Sequence, residues 1–166
     1  METHAATFLK IINNPFKSRL FLFTKLPSAF FSGVRVLVAD ENKCAVTVPY
    51  KWFSQNPFKS TYFACLSMAA EMSTGVLGLA HVYKRTNPAV SILVTRIQGN
   101  FIKKAIGRTT FTCEEGSVIK QTIEDAIFSG EGKIVTVKSY GRNAANEIVA
   151  EFDITWSFKA KNQPAI

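Results

Sequence analysis

The sequence predicts an α+β fold in which a curved antiparallel sheet wraps around one long central helix, with extra helices at the N-terminus. Three observations carry that expectation. From Thr61 to His81 the chain holds a single formal charge, Glu71, among Ala, Leu, Met, Val, Gly, Ser and Cys. A helix apolar on nearly every side has to be covered on every side, because no polar stripe is left for water. Small residues (Ala64, Ser67, Ala69, Ala70, Ser73, Gly75 and Gly78) recur along it and let a sheet or another backbone come close. Downstream, strand-like runs separated by turn signals provide the covering sheet.

The elements follow in order. Residues Thr7 to Asn13 suit a short helix, which Asn-Asn-Pro ends with a turn. Phe16 to Leu26 mixes aromatics with Lys17, Arg19 and Lys25. It reads as a helix capping the domain with its lysines snorkelling outward, in preference to a membrane-surface helix. Gly33 to Ala39 and Lys43 to Val48 alternate around Asp40-Glu41-Asn42, which is a hairpin pattern. Tyr50, Trp52 and Phe53 form an aromatic patch before the central helix, whose stretch opens at Asn56. After Thr86-Asn87-Pro88 come strands over Val90 to Ile102 and Arg108 to Cys113. A short helix capped by Ser117 then runs to Phe128 and stops at Gly130. Strands over Lys133 to Tyr140 and Glu147 to Phe158 complete the domain. The 166 residues read as one domain, with 1–30 as an N-terminal helical extension and 159–166 as a polar, frayed tail.

Composition narrows the function classes. Hydrophobic residues at 47% and charged residues at 19% exclude disorder and imply extensive burial or subunit contact. The net charge of +8 favours anionic partners, yet the lysines and arginines are scattered, with no nucleic-acid-binding motif. Cys44, Cys65 and Cys113 are far apart and odd in number, which fits reduced, buried thiols in a cytoplasmic protein. Two histidines are too few for a His-rich metal centre, and no metal is expected. The central stretch is long enough to cross a bilayer. Glu71 at its middle, where an acid costs roughly 2.5 to 3.5 kcal/mol on insertion scales, argues against a span.

The element order, with a lone acid in the buried helix, resembles the hot-dog fold of acyl-CoA thioesterases over roughly Asn14 to Lys159. The similarity is closest to the phenylacetyl-CoA thioesterase-like branch and to an uncharacterised hot-dog domain family beside it. That branch carries an Asn ahead of His-Gly-Gly at the helix start and an acidic residue further along the helix. Asn56 stands at the first position and Glu71 at the second, while Tyr62-Phe63-Ala64 replaces His-Gly-Gly. The segment NPFKSRLFLFTKLPSAFFSGVRV resembles the uncharacterised family, which often lacks His-Gly-Gly.

The resemblance implies hydrolysis of an acyl-CoA or acyl-carrier thioester by a cytoplasmic homodimer or dimer of dimers, with CoA present only as part of the substrate and no other cofactor. It implies an oxyanion site at the backbone N–H groups of Phe63 and Ala64, and Glu71 as general base or nucleophile. Asn56, from a facing subunit, would hold the water or the carbonyl. Phe58, Tyr62, Met68 and Met72 would line the substrate pocket, and Lys103, Lys104 and Arg108 would meet the CoA phosphates. Plainer readings stand beside these. Asn56-Pro57 is also a good helix start, Glu71 could pair with a lysine or arginine, Lys103 and Lys104 suit a solvated bend, and both methionines suit a core. Phe63 in place of a glycine leaves open a hot-dog protein that binds an acyl ligand without cleaving it.

Overall fold

Hydrophobic patterning places most elements within a few residues of where they are found. The computed structural model describes residues 4–161. Three helices come first: α1 (His4–Asn13), α2 (Pro15–Lys25) and α3 (Pro27–Phe31). Asn14 caps α2 by accepting hydrogen bonds from the N–H groups of Phe16 and Lys17, with Pro15 in the first turn. The hairpin of β1 (Arg35–Ala39) and β2 (Cys44–Val48) follows, then the central helix α4 (Phe63–Val82), β3 (Val90–Phe101), β4 (Thr109–Cys113), α5 (Gly116–Ser129), β5 (Lys133–Arg142) and β6 (Ile148–Ala160).

The strands form one six-stranded sheet in the order β1-β2-β4-β5-β6-β3, antiparallel throughout. It curls around α4, whose buried residues run from Cys65 to Ala80. Two buried polar contacts fix the helix in the sheet. The hydroxyls of Ser73 and Ser139 lie 2.7 Å apart, and the Trp156 indole N–H donates to Thr74 Oγ1 at 2.9 Å. Such hydroxyls would be costly to bury unpaired, so together they specify one register of helix on sheet. Helices α1 and α5 both pack on α4; α2 lies beside α1, at the side of a cavity around the middle of α4, and α3 packs on α2. Asn13 ties α1 to the sheet edge, accepting from the Ala39 N–H at 2.8 Å and donating to the Ala39 carbonyl at 2.7 Å.

Several boundaries differ from the expectation. The central helix starts at Phe63 rather than at Asn56, and its N-cap is Tyr62. The Asn56 side chain instead accepts from the N–H groups of Phe58 and Ser60, folding residues 56–60 into a tight loop in which Lys59 has φ +59°. Asparagine offers its side chain to a turn as readily as to a helix end, and here the turn wins. The cap of α5 is Glu115, not Ser117. Lys159 and Ala160 belong to β6, so the strand consumes the start of the expected tail, and residues 162–166 lie outside the described residues. Cys44, Cys65 and Cys113 are free and buried, as their spacing implied.

Candidate active site

Most of the side chains named from the sequence line one of two cavities on α4. One surrounds Glu71. Its volume is about 210 Å³, and its walls are Ile12, Phe21, Leu22 and Leu26 of the N-terminal helices, Val36, Ile92 and Trp156 of the sheet, and Met72, Gly75, Val76 and Leu79 of α4 itself. Glu71 is, among the described residues, the sole ionisable one in that wall. Among the described residues its carboxylate has no ion pair or hydrogen-bond partner, so the structural pairing with Lys or Arg is not realised. Burial among hydrocarbon pushes its pKa up from the ordinary 4.5 to about 7.

The space for that carboxylate comes from Gly75, one turn along the helix. A Cβ on Gly75 would sit 3.2 Å from Glu71 Oε1 and 3.2 Å from the Trp156 ring. The Trp156 N–H that could neutralise the acid is already committed to Thr74. Gly75 was expected only as one of the small residues that let a sheet come close, and Trp156 was not singled out from the sequence. The signal was present in the alternation of β6, where Ile154, Trp156 and Phe158 share the inward face.

The other cavity, about 500 Å³, opens at the N-terminus of α4. Asn56, Phe58, Tyr62, Phe63, Leu66, Phe101, Lys103 and Lys104 are among its lining residues. Backbone pairing builds it: the Thr61 N–H donates to the Ala105 carbonyl at 2.8 Å and the Tyr62 N–H to Ser54 at 2.7 Å. The first holds the helix start against the segment that follows β3, and the second ties it back to the turn at Trp52–Ser54. Cys65 and Leu66 donate to the Tyr62 carbonyl, whereas the N–H groups of Phe63 and Ala64 find no acceptor among the described residues. No side chain caps this end. Two unsatisfied donors at the positive end of a helix dipole favour a developing negative charge.

The remaining predicted residues distribute unevenly. Met72 lines the Glu71 cavity, but Met68 lines neither cavity and packs against the core. Lys103 is ion-paired with Glu147 at 2.7 Å, and Lys104 donates to the Phe58 carbonyl at 3.3 Å. Arg108 is exposed and outside both cavities. The Phe63 ring packs edge-on against Tyr62 and Phe101 and is more than half exposed. Within one chain Asn56 and Glu71 are not brought together. Phe63 and Glu71 are eight positions apart, about 12 Å along the helix.

The architecture has close counterparts among solved structures. A Pseudomonas aeruginosa protein of unknown function, described as a probable thioesterase, superposes with a TM-score of 0.74 at 19% identity, covering 89% of this chain and 97% of that one. A Chlorobaculum tepidum protein of unknown function gives 0.72 at 16% identity, with 89% and 97% covered. The thioesterase of Haemophilus influenzae gives 0.63 at 12% identity, with 85% and 88% covered. No curated protein matches the sequence. A family model described as a domain of unknown function, DUF4442, matches residues 18–158. With a six-stranded antiparallel sheet curled around one buried helix, and with that match spanning most of its length, the chain is a hot-dog protein and belongs to the DUF4442 family.

Proposed function

We propose that the protein is a thioester hydrolase acting on an acyl-CoA or acyl-carrier substrate in the cytoplasm. The single observation that carries this reading is Glu71: an unpaired carboxylate with a pKa near 7, facing an apolar cavity that fits an acyl group. In the reaction Glu71 takes a proton from water, and the water oxygen attacks the thioester carbonyl carbon. The oxyanion that forms accepts from the N–H groups of Phe63 and Ala64. Collapse of the tetrahedral intermediate breaks the carbon–sulfur bond, and the thiolate leaves with the proton. The products are a carboxylic acid and a thiol, and no resident cofactor takes part. Lys104, at the mouth of the helix-end cavity, supplies positive charge for a phosphate-bearing carrier, and Lys103 does so by exchanging its Glu147 partner.

The 12 Å between the donors and the acid calls for a second copy. Strand β3 is a free edge of the sheet, 12 residues long, with Leu93, Ile97 and Phe101 exposed along it. Its two ends belong to different cavities: Ile92 lines the one around Glu71 and Phe101 the one at the helix start. Antiparallel pairing of β3 with the same strand of another molecule, centred near Thr95 and Arg96, sets each Phe101 beside the other Val90. Each helix N-terminus, with its Asn56 loop, then adjoins the acid of the other subunit. A homodimer with two composite sites follows, and it supports the chemistry that one chain alone does not assemble.

A panel of acyl-CoA substrates with a free-thiol readout tests the reading. We expect turnover in the wild type and a loss of about 10²- to 10⁴-fold in Glu71→Gln, the usual range for a general base. Turnover that is unchanged in Glu71→Gln excludes the proposed base. Saturable acyl-CoA binding without any turnover identifies a ligand-binding protein instead, with the Tyr62 and Phe63 rings as the feature that separates it from hydrolases.

A further inference from the structure

Helix α2 is apolar on two sides. Its inner side buries Ser18 and Leu22 and gives Phe21 to the Glu71 cavity. On the outer side Phe16, Leu20 and Phe23 are 83%, 57% and 51% exposed. They stand at i, i+4 and i+7, which is one face of a helix. The apolar surface continues past α2. Phe23 meets Phe30 and Phe31, Phe31 stacks on Phe53 with centroids 5.9 Å apart, and Phe53 meets Trp52 edge-on at 5.1 Å. Trp52 is 78% exposed. Contiguous exposed apolar surface of this kind marks a place where something docks.

The segments that build it, residues 15–31 and 51–53, carry charges of one sign. From Thr3 to Ala39 the chain has Lys10, Lys17, Arg19, Lys25 and Arg35 and no acidic residue. No Asp or Glu occurs between Asn42 and Ala70 either, a span that includes Lys51 beside Trp52. Lys17, Lys25 and Lys51 are exposed and make no ion pair among the described residues. A second copy seated here about a two-fold axis would bring each of these lysines towards the same positive surface. An apolar layer faced with negative charge complements all of them at once.

We propose that this surface docks the protein on an anionic phospholipid bilayer. Helix α2 lies in the headgroup region, with Phe16, Leu20, Phe23 and Trp52 reaching the acyl chains and the lysines meeting the anionic headgroups. The docking does not depend on the hydrolytic reading. Where both hold, the inner face of α2 keeps the Glu71 cavity next to the hydrocarbon layer, and the substrates are long-chain acyl thioesters held at the membrane.

Co-sedimentation of the full chain with vesicles tests this, with no thioester present. The protein is expected to pellet with phosphatidylcholine vesicles containing phosphatidylglycerol, to stay in solution with phosphatidylcholine alone, and to be released by salt. Trp52 emission shifts to the blue on binding, while the buried Trp156 does not respond. The Phe16→Ser, Leu20→Ser, Phe23→Ser triple variant loses binding yet still folds, as read by circular dichroism, since each of these side chains is more than half in water. Lys17→Gln with Lys25→Gln lowers partitioning about thirty-fold, as two membrane-proximal charges should. Failure to pellet with the anionic vesicles, or pelleting unchanged in the triple variant, overturns the proposal. Concentration-dependent oligomers that only the triple variant dissociates, without vesicle binding, reassign the patch to self-association.

Discussion

A carboxyl group among hydrocarbon side chains can lower its energy by keeping its proton, and Glu71 does so up to a pH near 7. The consequence for stability has a definite sign. Below about pH 4.5 the group is protonated in both the folded and the unfolded chain, so its burial carries no ionic cost. As the pH rises towards 7 the unfolded chain ionises first, and stability falls. Above 7 the full difference, on the order of 3 kcal/mol, is present. Glu71→Gln is therefore expected to melt at a higher temperature than the wild type at pH 8 and to approach it at pH 4, as read by thermal denaturation at both values. The activity runs the other way: a general base must be ionised, so the rate rises with pH and levels off above about 7. A hydrolysis rate that falls across this range rules out Glu71 as the base.

At the scale of elements, the start of α4 offers a test that separates backbone from side chain. Phe63 is the first helical residue, and Tyr62 before it is extended at ψ 135°. Proline fits both requirements, needing no N–H there and favouring an extended predecessor. Phe63→Pro deletes one oxyanion donor without breaking the helix, while Phe63→Ala removes the ring and keeps the donor. A fall in kcat of about 10²- to 10³-fold is expected in the proline variant only. The start of α5 is constrained by contact. A Cβ on Gly116 would collide with the carbonyl oxygen of Glu41, and the Gly116 N–H donates to Asn42 at 2.9 Å. Because backbone cannot yield as a side chain tip does, Gly116→Ala should cost about 1 to 3 kcal/mol in chemical denaturation.

These elements also show what a sequence makes visible. Periodicity exposed α4, because its apolarity extends around the whole helix, and it exposed β5 and β6, because half-buried strands alternate. It left the start of α4 open, since Asn56-Pro57 satisfies a cap and a turn equally well, and the cap lies six residues further on at Tyr62. Glu71 was legible as a lone charge. The walls of its cavity were not, because Ile12, Phe21, Val36 and Trp156 come together only when the N-terminal helices close over the sheet.

For the whole molecule, the separation of donors and acid along one helix predicts subunit complementation. In the proposed homodimer Glu71→Gln lacks the base and Phe63→Pro lacks a donor, so neither variant alone is expected to turn over substrate. A mixed dimer carries one site with both groups intact and one with neither. Denaturing and refolding an equal mixture should restore about a quarter of wild-type activity, from random pairing of subunits. No recovery on mixing means that both groups act within one chain. Leu93→Lys with Ile97→Lys on the free β3 edge should shift the protein towards monomers in sedimentation and abolish turnover with it.

The frame of helix and sheet holds the acid, whereas much of the chamber wall comes from the first two helices: Ile12, Phe21, Leu22 and Leu26. On the proposed hydrolytic reading, selectivity and reactivity are thereby lodged in separable parts of the chain. Exchanging the leading helices between relatives retunes which tail length fits and leaves the proton-transfer geometry alone. A lineage can in this way broaden its repertoire of acyl groups by editing a few N-terminal side chains.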